Sequence, residues 1–123
     1  MNVRTPLPVL LFVCALCTMG QTPPEYTPTE APKHIGETAS VTGAVKRVYQ
    51  TQGGSIFLDL GAIHPHNPFT VFIPRSAADK FWNFKDYDGV VITVSGQIQE
   101  YNNKAEIVVT NPSQITRGSV PGL

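Results

Sequence analysis

From Thr38 onward, apolar and polar residues alternate with a period of two. Thr38–Tyr49 is rich in β-branched residues and predicts a long first strand. Gly43 lies inside it, where a glycine marks a bulge or a sharp bend. Gln50–Gly54 supplies a turn, and Ser55–Gly61 predicts a second strand. There Ile56, Leu58 and Leu60 share one face, while Phe57 and Asp59 share the other. Ala62–Pro68 holds two prolines and reads as a loop. Phe69–Ile73 predicts a third strand, ended by Pro74.

The period then changes. Ser76 suits a helix N-cap, and Asp79 three residues later resembles a capping box. Ala77, Ala78, Phe81, Trp82 and Phe84 form an apolar stripe on one short helix running to about Lys85. Val90–Glu100, with Gly96 inside it, predicts a fourth strand. Tyr101–Lys104 predicts a tight hairpin turn, because asparagine tolerates positive φ. Ala105–Thr110 is the fifth strand, stopped by Asn111-Pro112. The expected class is all-β: a five-stranded Greek-key barrel with one short helix between strands three and four. Such a barrel needs a first strand that bends to pair on both sides of the closure, and Gly43 permits the corner. The helix would cap one barrel end with Phe81 and Trp82.

The start of the chain belongs to a different pattern. Arg4 precedes the apolar run Leu7–Leu16, and Thr18-Met19-Gly20 offers small residues for cleavage. This is the layout of a secretory signal peptide over residues 1–20, shorter than the roughly 20 apolar residues of a membrane span. An uncleaved N-terminal anchor is the alternative. Cleavage predicts an exported protein, periplasmic or extracellular, without stable membrane insertion. Cys14 and Cys17 both fall in this segment, outside any βαβ context for a redox motif. Val13 and Leu16 before them fit lipidation poorly. Residues 21–33 carry four prolines and predict an extended spacer, leaving residues 34–117 as the folded domain and 118–123 as a tail.

Composition narrows the class further. Eleven prolines and ten glycines in 123 residues favour turns over long helices. An apolar fraction of 41% is enough for a core. Nine basic residues balance nine acidic ones, which argues against a strongly electrostatic nucleic-acid binder.

The segments Val41-Thr42-Gly43-Ala44-Val45, Phe57-Leu58-Asp59-Leu60-Gly61, Val91–Ile98 and Glu106-Ile107-Val108-Val109 with Pro112-Ser113-Gln114-Ile115 resemble the OB-fold nucleic-acid-binding family. The likeness covers about residues 34–115 and is similar to its anticodon-binding-like subgroup and to small exported OB domains. It implies a ligand face on strands two and three, flanked by the loops after strand one and between strands four and five. On this chain that face presents Phe57, Asp59, Thr70 and Phe72. Phe57 and Phe72 are then candidates to stack on bases of single-stranded nucleic acid. Lys46, Arg47, Tyr49, Arg75, Asn102, Asn103 and Lys104 would make backbone or edge contacts.

Charge qualifies that expectation. Over residues 34–117, seven basic side chains meet seven acidic ones, and Asp59 on the proposed face would repel phosphate. An exported adaptor for a protein or small ligand is the second reading, since a neutral aromatic face suits such a partner. Catalysis is poorly supported. His64-Pro65-His66 lacks a nearby third metal ligand, and no Gly-x-Ser-x-Gly elbow occurs. Nucleases on the same barrel need several acidic and arginine residues in one pocket, whereas only Arg47, Arg75 and Arg117 follow the leader. A non-catalytic binding module without cofactor or metal is the expectation.

Overall fold

The computed structural model describes residues 22–118; the apolar leader and both cysteines lie outside them. Within the described residues eight strands form: β1 (Glu25–Tyr26), β2 (Thr38–Gln50), β3 (Ile56–Leu60), β4 (Phe69–Ile73), β5 (Val91–Gln97), β6 (Gln99–Tyr101), β7 (Lys104–Val108) and β8 (Ile115–Arg117). They make one sheet in the order β6-β7-β4-β3-β2-β5-β8, with β1 added parallel to β2.

The long strand serves two partners, as its length and glycine predict. Thr38–Ala44 pairs with β5, and Val45–Gln50 pairs with β3. Between Val45 and Arg47 the register shifts, so Lys46 is an extra, bulged residue. Its effect is a change of parity. Val45 and Val48 are an odd number apart, yet both turn toward the core, and Arg47 and Tyr49 turn together to the opposite face.

The hydrogen-bonded path does not close into a five-stranded barrel. The predicted fourth strand breaks at Ile98, whose N–H and carbonyl bond to Glu37 O and Gly36 N at the entry to β2. The β5 segment therefore leaves the β7 edge, and β6 takes over that pairing. The curled sheet still brings β5 over β7. A Cβ on Gly96 would stand 2.7 Å from Ile107 Cγ2. The Gln114 amide spans the gap by donating to Ser95 O (3.0 Å) and Val108 O (3.2 Å). Inside the curl, Val41, Val45, Ile56, Leu58, Leu60, Phe69, Val71, Ile92, Val94 and Ile107 are buried. The expected inward set Ile56, Leu58 and Leu60 is confirmed.

Two expectations are corrected. No α-helix spans 76–85; two 3-10 segments, Arg75–Phe81 and Phe84–Tyr87, replace it. The first starts from Pro74 with no side-chain cap, so Ser76 and Asp79 form no capping box. Ala78, Phe81, Phe84 and Tyr87 pack on the core at intervals of three, the period of a 3-10 rather than an α turn. Phe81 is buried, but Trp82 is 83% exposed and caps nothing. The second correction concerns residues 25–34, which fold onto the sheet instead of forming a bare spacer. Here β1 pairs with Ser40 and Val41, Ala31 is fully buried, and the Pro28 ring fills the space left by the missing side chain of Gly43.

Candidate functional site

Strand register builds two rows of side chains on the sheet face away from the core. Tyr49, Phe57, Phe72 and Val108 stand in register across β2, β3, β4 and β7. Beside them run Arg47, Asp59, Thr70 and Glu106, with Gln99 opposite Glu106 on β6. One row is aromatic and apolar; the other is polar.

In the aromatic row the Phe57 and Phe72 rings lie 5.1 Å apart, tilted by 46°, and both are partly exposed. That arrangement suits the quadrupoles of a tilted pair and leaves ring surface free. Within residues 25–34, Pro28 packs against Gly43 and Gly61 rather than these rings.

The polar row is mostly self-satisfied. Arg47 Nε donates to Asp59 Oδ2 at 3.0 Å, and its guanidinium lies 5.1 Å above the Tyr49 ring. Asp59 is only 3% exposed and also accepts from the His64 backbone N–H at 3.3 Å. Its charge is thus buried and paired, so it does not confront a ligand as an open carboxylate. Buried Asn67 donates to Thr70 Oγ1 (2.8 Å) and Phe69 O (3.0 Å), while its own Oδ1 has no partner. Lys104 Nζ donates to Pro65 O (2.6 Å) and Asn67 O (2.9 Å). Asp59 and Lys104 together fix the Ala62–Pro68 loop along the rim.

Glu106 differs from its neighbours. It is 7% exposed, and among the described residues no donor reaches its carboxylate. Burial raises its carboxyl above the ordinary value, with no opposing cation to bring it down.

Two adjoining clefts open over these rows. One, of about 340 Å³, reaches from Arg47 and Tyr49 past Phe57 and Thr70 to Asn102 and Lys104. The other, of about 280 Å³, lies between Phe57, Phe72, Tyr101 and Val108. Phe57, Tyr101 and Glu106 line both. The hairpin that carries Tyr101 turns through Asn102 (φ 51°) and Asn103 (φ 64°), as the sequence predicts. Tyr101 and Tyr49, 59% and 47% exposed, stand as walls on either side.

The predicted residues Phe57, Thr70, Arg47, Tyr49, Asn102 and Lys104 therefore gather at the first cleft, and Phe72 at the second. Lys46 and Arg75 line neither. Lys46 is the exposed extra residue of the bulge, and Arg75 lies against Gly54 at the start of the 3-10 segment. Tyr101, Glu106 and His64 were not anticipated at the site. For Glu106 a local signal existed, since it alternates in phase with Lys104. Its meeting with Thr70, however, depends on a parallel pairing that no local pattern announces. Among the described residues no group of three His, Cys, Asp or Glu side chains is placed to hold a metal ion, and no helix is long and apolar enough to cross a membrane.

The fold is OB-like, and solved structures share it. An OBody, AM1L10, bound to hen egg-white lysozyme superposes with a TM-score of 0.55 at 16% identity, over 82% of this chain and 99% of that one. OBody AM3L15, also bound to lysozyme, gives 0.51 at 17% identity, over 75% and 91%. An aspartyl-tRNA synthetase from Leishmania major Friedlin gives 0.50 at 11% identity over 86% of this chain, which spans only 23% of the synthetase. At these identities the likeness is one of fold. Neither a protein-family model nor a curated protein sequence matches the chain.

Proposed function

We propose that the protein is an exported, non-catalytic module that binds single-stranded nucleic acid on the Tyr49–Phe57–Phe72 row. The observation that carries this reading is the partly exposed Phe57–Phe72 pair on the floor of two joined clefts. Stacking on such rings contributes about 1–3 kcal/mol per base and tolerates any base. The Asp59–Arg47 pair removes the repulsion an open carboxylate would exert on a phosphate chain. It also engages one of the two cations at the cleft, and loop carbonyls engage the other, Lys104.

Affinity on this reading rests on rings more than on charge. The slope of log affinity against log salt is then shallow, about −1, as expected when one or two phosphates are neutralised on a single strand. Fluorescence anisotropy of a labelled single-stranded 12-mer with the purified protein, at two salt concentrations, tests it. Micromolar binding with a slope between about −0.5 and −1.5 supports the reading. Absence of binding at low salt by a folded protein rejects it.

A second reading has its own support. Neutral charge balance and the exposed Tyr49 and Tyr101 suit an adaptor that holds a protein or small ligand. Two fold neighbours, the OBodies, are bound to a protein. A contact of that kind is insensitive to salt and does not compete with oligonucleotides.

A further inference from the structure

We propose that Glu106 makes this face selective for guanine within single-stranded nucleic acid. The inference rests on the nucleic-acid reading and adds base identity to it. Three observations converge on Glu106. It lines both clefts, beside Phe57 and Tyr101. It is more than nine-tenths buried, and among the described residues nothing donates to its carboxylate. The other acidic group of the row, Asp59, is already paired with Arg47 and the His64 N–H. What little of Glu106 is exposed opens on the clefts, so a ligand that supplies donors there replaces water at a carboxylate with few other partners.

The chemistry of those donors identifies the base. An ionised carboxylate is acceptor-only and offers two oxygens side by side. Guanine presents two adjacent donors on its pairing edge, the ring N1–H and the exocyclic amine, and so matches both oxygens at once. Thymine and uracil present one ring N–H between two carbonyl oxygens, which repel the carboxylate. Adenine and cytosine place their amine beside a ring nitrogen that is itself an acceptor. Stacking on Phe57 or Phe72 accepts all four bases. Only the edge contact with Glu106 separates them.

The test uses four single-stranded 12-mers: all-dT, and all-dT with every third position changed to dG, dA or dC, spacing that leaves no guanine runs. Anisotropy with the purified protein at pH 8 should show the dG oligonucleotide binding about 10-fold tighter or more, within the range of a bidentate base contact. Replacing dG by deoxyinosine, which lacks the exocyclic amine, should remove most of that preference without altering the protein. Glu106→Gln replaces one of the two acceptors by a donor and should lose the preference for the dG oligonucleotide. Equal wild-type affinity for all four would overturn the guanine assignment and leave the stacking reading standing. A preference that survives inosine or Glu106→Gln would also overturn it. No binding to any oligonucleotide would reject the nucleic-acid reading, and the guanine assignment with it.

Discussion

Removing Asp59 or Arg47 tests whether the polar row is what fixes the rim of the cleft. Asp59 is 3% exposed and accepts three hydrogen bonds, from Arg47 at 3.0 Å, the His64 N–H at 3.3 Å and, more weakly, the Asn67 amide at 3.5 Å. Hydrogen bonds to a charged group contribute about 1.5–3 kcal/mol each, but the Arg47 side chain is 39% exposed and rehydrates when its partner is lost. Asp59→Ala should therefore cost about 2–3 kcal/mol. Arg47→Ala leaves a buried carboxylate without its cation. Discounted for that exposure, the loss should be about 2 kcal/mol. The double variant relieves the stranded charge, so its cost should fall short of the sum by about 1–2 kcal/mol. For a folded unit of this size, Asp59→Ala corresponds to a melting temperature lower by about 10–20 °C. Urea denaturation followed by far-ultraviolet circular dichroism, on wild type, both single variants and the double at one salt concentration, measures the cycle. Costs that add within about 0.5 kcal/mol would refute the coupling and the role given to the pair.

Other expectations follow from packing and burial. Leu58→Ala should cost about 2–5 kcal/mol as a core cavity, and a loss below about 1 kcal/mol would show that β3 faces the other way. Gly43→Ala should cost about 1–3 kcal/mol because its Cβ would overlap the Pro28 ring; Pro28→Ala in the same chain should recover part of the loss, and no recovery would contradict the packing of residues 25–34. Glu106 holds its proton more tightly in the folded chain than in the unfolded one, because burial raises its carboxyl above the ordinary 4.5. Its contribution to stability is therefore full below that value and is lost as pH rises through the raised one. Glu106→Gln should then melt above wild type at pH 8 and close to it at pH 4, and a variant less stable at pH 8 would contradict the burial effect.

Much of the sheet is legible because alternation is local. Ile56, Leu58 and Leu60 announce their face through a period of two, and Asn102-Asn103 announce a turn through their tolerance of positive φ. That Phe57 stands beside Phe72 follows from the resemblance to the OB fold rather than from alternation, and the β3–β4 register agrees. Local spacing misleads over 75–87, where Ala77, Ala78, Phe81, Trp82 and Phe84 suit an α stripe, whereas Ala78, Phe81, Phe84 and Tyr87 pack on the core at the 3-10 period of three. Gly43 signalled a special backbone position, but the ring that fills its space comes from Pro28, beyond the strand itself. Lys46 and Arg47 adjoin in sequence, and the bulge that turns Arg47 to the same face as Tyr49 is invisible in the alternation. The break of the fourth strand at Ile98 depends on bonds to Gly36 and Glu37, some sixty residues away, so an uninterrupted closed barrel was the natural expectation. Glu106 escaped notice for a related reason: it meets the aromatic face only through the parallel pairing of β7 with β4.

The most direct test of the stacking face is the affinity of a labelled single-stranded 12-mer for wild type and for Phe57→Ala/Phe72→Ala. Circular dichroism and melting of the double variant must first show a folded sheet. Loss of two stacked bases predicts binding weaker by about 30-fold or more. A folded double variant that binds as tightly as wild type would contradict the assignment of this face.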